Sequence, residues 1–343
     1  MSARASIIPV FVPHLGCPHA CVFCNQRRIS GAEKPATAET VREALRRAEA
    51  IPCAGPRELA FYGGSFTAIP AAQQIELLSA AREALDAGRI QSIRLSTRPD
   101  AIDRTILKRL REHGVETVEL GAQSMDDEVL RVSGRGHTAG DVFRASAMVK
   151  EAGFRLILQM MTGLPGDSPG KCVETAHRLI KCCPDGVRIY PTVIVKDTEL
   201  YERWLAGEYR EHTVEDAVSI CARIVPLFER AGIPVIRLGL NPTEELSGGA
   251  AVGGAYHPAL GELVKSRILY HRAEKLLEGI APGSKVVLEV HASQLSQMIG
   301  QHRQNIIGLS ERFALSDLKV CAGDGETDEI RIVAVDDSTK KEA

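Results

Sequence analysis

Cys17-Pro18-His19-Ala20-Cys21-Val22-Phe23-Cys24 is the stretch on which the reading of this chain turns. It follows the short apolar run Ile7–Val12, so it lies on a loop at the C-terminal end of a first strand. Three thiols in eight residues, spaced C-x3-C-x2-C, can converge on one inorganic centre. Pro18 and the short length argue against a helix that would splay them. Thiolates suit zinc and iron–sulfur clusters, and both readings stay open on spacing alone. Structural zinc would take His14 or His19 as its fourth ligand. A four-iron cluster held by three cysteines would keep one iron open to an exchangeable ligand.

Working outward, short apolar runs alternate with longer amphipathic segments. The runs are Ile7–Val12, Leu59–Tyr62, Ile90–Leu95, Thr117–Leu120, Arg155–Met161 and Gly186–Tyr190. Between them, Ala71–Ala87 follows Pro70, a segment opening at Pro99-Asp100 stops at Gly114, Asp141–Glu151 stops at Gly153, and Ser168–Cys183 stops at Pro184. In the last of these Val173, Ala176 and Ile180 share one helical face. Six strands alternating with helices predict βαβ units, a parallel sheet and an α/β fold, a partial (β/α)6 TIM-like barrel. A helix over Val214–Gly232, a strand-like Pro234–Leu238 and a glycine-rich loop at Ser247–Gly254 follow.

The chain has 343 residues, 44% apolar and 25% charged, with 30 Gly and 17 Pro. That is a globular composition with material for roughly two domains. The expected division is 1–245 for the barrel, 246–283 for a helical extension, 284–335 for a small α+β domain and 336–343 for a disordered tail. No apolar run reaches the ~18 to 20 residues of a membrane span. The N-terminus lacks the pattern of a signal peptide, so the expected compartment is cytoplasmic. Lys and Arg number 42 against 44 acids, so bulk positive charge does not recruit nucleic acid. Nine cysteines, an odd number unevenly spread, argue against a disulfide framework. Cys53, Cys172, Cys182, Cys183, Cys221 and Cys321 read as packing residues.

The spacing C-x3-C-x-aromatic-C, with Phe23 before the last cysteine, resembles the signature of the radical S-adenosylmethionine (SAM) superfamily. That resemblance implies that Cys17, Cys21 and Cys24 hold a [4Fe-4S] cluster. SAM would bind the fourth iron and be cleaved to a 5′-deoxyadenosyl radical, with an electron donor such as flavodoxin or ferredoxin. Phe61-Tyr62-Gly63-Gly64-Ser65-Phe66-Thr67 resembles the family's Gly-Gly motif, so Gly63 and Gly64 would flank the SAM methionine group. Gln123 and Gln159 would bind the SAM ribose, and Arg135 its carboxylate. Ser96 departs from the pattern, because relatives often carry Glu before Thr97-Arg98-Pro99. Gly121-Ala-Gln-Ser124, Gly134-Arg-Gly-His-Thr138, Met160-Met161-x-x-Leu164-Pro165 and the block Ile189–Trp204 resemble most the Elongator catalytic subunit over residues 7–205. The resemblance is to its radical SAM half, without an acetyltransferase domain. Tyr190 and Lys196, at and after the sixth strand, are candidates to face the substrate.

Lys285–Val335 reads β-α-turn-α-β-β. The turn Ile299-Gly300-Gln301-His302-Arg303-Gln304-Asn305-Ile306 resembles the I-G-x-x-G-x-x-I signature of KH modules, which clamp an RNA backbone, with Arg303 in place of the second glycine. Gly300, Gln301, His302 and Arg303 are thus the candidate RNA contacts. The resemblances together imply a radical SAM enzyme that modifies RNA, most plausibly tRNA. Two alternatives stand beside it: a radical SAM enzyme for a small molecule such as a tetrapyrrole, and a non-catalytic metal-bearing RNA-binding protein.

Overall fold

In a computed structural model that describes residues 5–12, 21–25, 35–240, 246–327 and 329–336, the apolar runs form one seven-stranded parallel sheet. Its spatial order follows the chain: β1 (Ser6–Val12), β2 (Arg57–Gly63), β3 (Ser92–Thr97), β4 (Val115–Gln123), β5 (Arg155–Thr162), β6 (Gly186–Pro191) and, after a short β7 (Val193–Val195) outside this sheet, β8 (Val235–Leu238). Six strand–helix units followed by a seventh strand make the expected partial barrel, extended by one strand. Edges β1 and β8 do not pair among the described residues. The connecting helices are α1 (Ala38–Glu49), α2 (Ala71–Asp86), α3 (Arg104–Glu112), α4 (Asp127–Val132), α5 (Ala139–Glu151), α6 (Pro169–Ile180), α7 (Glu199–Leu205) and α8 (Val214–Arg230). The inner strands bury apolar side chains and set polar ones among them. Leu59, Ala60 and Phe61 of β2 and Val118 and Leu120 of β4 have no exposed surface.

Helix starts follow local chemistry. Thr37, Thr138 and Thr213 each close a capping box with the residue three places on, and Asp103, Asp126, Ser168 and Thr198 cap by side chain alone.

Two expectations need correction. The glycine-rich stretch is not all loop: Ala251–Gly254 is a strand, β9, antiparallel to β7. At Gly254 (φ +81) a Cβ would lie 2.6 Å from the Thr192 carbonyl oxygen and 2.9 Å from Val193 Cα, so the pairing with β7 needs glycine there. Of the six cysteines read as packing residues, Cys172, Cys182 and Cys221 are buried, but Cys53 and Cys183 are exposed and Cys321 is half-buried. Each of those three sits in or beside a turn or on an outer strand, where apolar sequence neighbours do not imply burial. None of the eight described cysteines is in a disulfide.

The chain divides into two compact units, residues 1–217 with 224–258, and 218–223 with 259–343. The break lies at 258/259, so the stretch 246–258 goes with the sheet and the following helix with the second unit. In the second unit α9 (Leu260–Leu277) is followed by β10 (Lys285–His291), α10 (Leu295–Ile299), α11 (Gln304–Arg312), β11 (Asp317–Gly323) and β12 (Ile330–Asp336). β10 is central, parallel to β11 and antiparallel to β12. Its core gathers Leu269, Leu277, Val286, Leu288, Met298 and Leu309. The tail beyond 336 lies outside the described residues. No described helix is long and apolar enough to cross a membrane.

Candidate active site

The C-terminal ends of β1 to β6 bring the motifs together, as the barrel architecture requires. Cys17 lies outside the described residues, as do His14 and His19; Cys21 and Cys24 are placed. They bracket a tight turn in which the Cys24 amide donates to the Cys21 carbonyl at 3.0 Å. Val22 between them is pinned on both sides: its amide donates to the Ser133 carbonyl, and its carbonyl accepts from the Leu200 amide at 2.8 Å. Phe23 packs against Ile194, Leu200 and Tyr209, beside Tyr201 and Trp204. Asn25 donates to the Asp197 carbonyl. The long block Ile189–Trp204 thus serves, in its second half, as the platform on which the cysteine turn rests. That role was not legible in the sequence.

Gly63 ends β2 at φ +102, and a Cβ there would lie 3.0 Å from the Val12 carbonyl oxygen. Both facts require glycine. The neighbouring Gly64 amide donates to the same oxygen at 2.7 Å, so the Gly-Gly pair locks the ends of β1 and β2 together.

Arg135 is buried. Its Nη2 donates to the Gly121 carbonyl at 2.7 Å and its Nη1 lies 3.5 Å from Cys21 Sγ. Arg98 Nη2 in turn donates to the Arg135 carbonyl. The motif that carries Arg135 also buries His137, whose Nε2 bonds the Ala122 carbonyl at 3.1 Å. Burial, and then the Arg135 charge, press the imidazole pKa down to about 3, so this ring is neutral. Neutrality leaves Nε2–H as the donor to a carbonyl. Next to Ala122, Gln123 sits at a break in the β4–β5 register with φ +64, unusual for a residue with a Cβ. Its Oε1 is buried with no hydrogen-bond partner.

Gln159, one strand over, pairs in register with Gly121. Its Nε2 donates to Glu119 at 2.9 Å and reaches Ser96 Oγ at 3.4 Å. Glu119 has no exposed side-chain surface and is the hub of the sheet's inward polar face. It accepts from Arg94 at 2.9 Å, Arg188 at 3.0 Å and Tyr62 at 3.2 Å. Arg94 also pairs with Glu58. Burial and the Glu119 charge push the Tyr62 hydroxyl above its ordinary pKa. These hub residues were missed because they sit singly in apolar strands; alternation along β3, β4 and β6 was the only available signal. Tyr190 joins the hub's margin through Arg188, at 3.4 Å, and burial raises its pKa too. Lys196 does not converge on the hub: it is exposed in the turn after β7. Nor does the sixth strand end the sheet, since β8 follows it.

In the second unit Gly300 (φ +76) opens the turn, and His302 and Arg303 both adopt left-handed backbone. Arg303 pays the steric cost foreseen for a non-glycine there. Asn305 braces the turn, its Nδ2 donating to Ser266 Oγ at 2.9 Å and to the Met298 carbonyl. Gln301, His302 and Arg303 remain exposed.

The residues present fit a thiolate-held cluster with a nucleoside ligand: soft donors at 21 and 24, a guanidinium beside one of them, and an orphaned buried carbonyl oxygen at Gln123. Comparison with known proteins agrees. Residues 11–179 match the model described as the radical SAM superfamily, and residues 184–269 match the radical SAM C-terminal domain, together most of the chain. A tRNA uridine(34) acetyltransferase from Dehalococcoides mccartyi is 32% identical over 142 residues, 40% of this chain and 31% of that protein. Human Elongator complex protein 3 is 33% identical over 138 residues, 39% of this chain and 25% of that one. The chain therefore matches about a third or less of these relatives' length. Among solved structures, the archaeal Methanocaldococcus infernus Elp3 with an N-terminal deletion superposes with a TM-score of 0.62 at 21% identity, covering 84% of this chain and 71% of that one, a likeness of fold.

Proposed function

From the membership of this chain in the radical SAM superfamily, an enzyme family whose cofactors are a [4Fe-4S] cluster and SAM, we propose that it is a radical SAM enzyme that modifies tRNA. The observation that carries this reading is the meeting, at one rim of the sheet, of the Cys21–Cys24 turn, the Arg135 guanidinium on Cys21 Sγ and the orphaned Gln123 carbonyl. Bound there, the cluster and SAM supply a 5′-deoxyadenosyl radical. The protein's own part is positional. Cys21 and Cys24, with Cys17, hold iron. Arg135 sets a positive charge beside the Cys21 sulfur. Gly63 and Gly64 keep the strand ends bare for the methionine group, and Gln123 and Gln159 present acceptors to the ribose. The barrel wall around the hub keeps water from the reacting atoms.

The tRNA part rests on the relative named as a tRNA uridine(34) acetyltransferase and on the exposed turn at 300–303, read as a KH-like contact to an RNA backbone. Acetyl transfer is not part of the proposal. Anaerobic reconstitution with iron and sulfide, reduction and addition of SAM should yield 5′-deoxyadenosine, and Cys24→Ala should lose both the iron and this product. Iron-free protein that holds only zinc after oxygen-protected purification would overturn the enzyme reading. Nucleoside analysis of tRNA from a deletion strain should show one modification missing; unchanged nucleosides and no tRNA binding at low salt would favour a small-molecule substrate.

A further inference from the structure

Glu119 makes five contacts from one buried carboxylate, and they are unequal in what they imply. Arg94 and Arg188 flank Oε1. A carboxylate held between two guanidiniums accepts hydrogen bonds and donates none. Whatever meets Oε2 must therefore be a donor. Gln159 meets it at 2.9 Å, so the amide nitrogen, and not the amide oxygen, faces Glu119. Its second hydrogen points toward Ser96 Oγ. With both amide hydrogens engaged, the carbonyl oxygen is the end of Gln159 left to meet a ligand.

We infer that Glu119 is a positioning residue: it fixes the Gln159 amide as an acceptor, so that this part of the site selects hydroxyl donors. This rests on the SAM site proposed above. Gln123 carries the matching feature on the neighbouring strand, a buried Oε1 with no partner. Two amide oxygens on adjacent strands, the one at 159 held as an acceptor by Glu119, suit the two adjacent hydroxyls of a ribose. The Ser96 departure becomes intelligible in the same terms. Ser96 faces Glu119 across the β3–β4 register, and a glutamate there would set a second carboxylate against the first. The short hydroxyl sets no second carboxylate against Glu119 from position 96 and supplies an acceptor for the second amide hydrogen.

The test is equilibrium dialysis of the anaerobically reconstituted full chain with S-adenosyl-L-homocysteine and with its 2′,3′-dideoxy analogue. Wild type should prefer the hydroxylated ligand. In Glu119→Gln the residue at 119 can donate, the Gln159 amide can turn over, and affinity for S-adenosyl-L-homocysteine should fall by about tenfold, the scale of one well-placed hydrogen bond. The preference over the dideoxy analogue should shrink in step. In a Gln159→Met background the same Glu119→Gln change should alter affinity less than about twofold, because the group it acts through is gone. An equal loss in both backgrounds, or unchanged discrimination in Glu119→Gln, overturns the inference. Should Glu119→Gln fail to fold, as judged by Trp204 fluorescence, Gln159→Met alone decides: full retention of the hydroxyl preference overturns it, and loss supports it. Wild type that binds neither ligand rejects the SAM site itself.

Discussion

Acid stability offers a sharp test of the site's architecture, through His137. Its ring is buried, donates to the Ala122 carbonyl and lies beside Arg135 and Arg98. Its folded pKa of about 3 is below the ordinary 6.5. The unfolded chain therefore binds the extra proton between these values, and stability rises with pH across that window. The contribution is complete above about pH 6.5 and drains away as pH falls toward 3. From pH 7 to pH 4.5 the expected loss through this one ring is about 2 to 3 kcal/mol, at about 1.4 kcal/mol per pKa unit. His137→Gln keeps a donor for Ala122 and cannot be protonated. Its stability should fall by about 2 to 3 kcal/mol less than wild type over the same pH interval, all other titrating groups being shared. Urea unfolding at the two pH values, followed by the fluorescence of the single tryptophan, Trp204, reads the sheet unit directly. Parallel losses in the two proteins would refute the picture of a desolvated, neutral imidazole behind Gln123.

Gly63→Ala should lower the urea midpoint by the equivalent of about 1–3 kcal/mol, since it combines a left-handed backbone with a Cβ at 3.0 Å from the Val12 oxygen; a wild-type midpoint would show that β2 ends differently. Arg135→Gln should lower the reduction potential of the reconstituted cluster, while Arg135→Lys should stay nearer to wild type, because the charge beside Cys21 Sγ disfavours loss of an electron from the centre; an anaerobic redox titration with identical potentials in all three proteins would remove Arg135 from that role. Arg303→Glu should weaken tRNA binding uniformly across tRNA species and reduce its salt dependence by about one phosphate contact, measured by filter binding at several salt concentrations. No change in slope would take the 300–303 turn out of the RNA contact.

The cysteine spacing, the glycine pair and the βα alternation were all legible in the linear sequence because each is a local constraint. A thiol triad needs eight residues, a strand needs a run, and a helix shows itself by its period and by the Pro and Gly that bound it. Those constraints foresaw the parallel sheet from β1 to β6, the helices α2, α3, α5, α6 and α8 to within a few residues, and the order of the secondary elements in the second unit, but not α1, α4 or α7. They did not foresee β9, whose partner β7 is more than fifty residues away in the chain, or the exposure of Cys53 and Cys183, which depends on what else covers them. The hub was hidden for the same reason. Tyr62, Arg94, Glu119, Gln159 and Arg188 stand on five strands, and each looks in its own run like one polar residue among apolar neighbours. Only the parallel register sets them side by side, and it is the two arginines brought against Glu119 from neighbouring strands that make its carboxylate the acceptor which the Gln159 amide nitrogen faces. Sequence determined which atoms are capable of the chemistry; the tertiary structure decided how they face, because orientation is set by partners that the chain brings together from far apart.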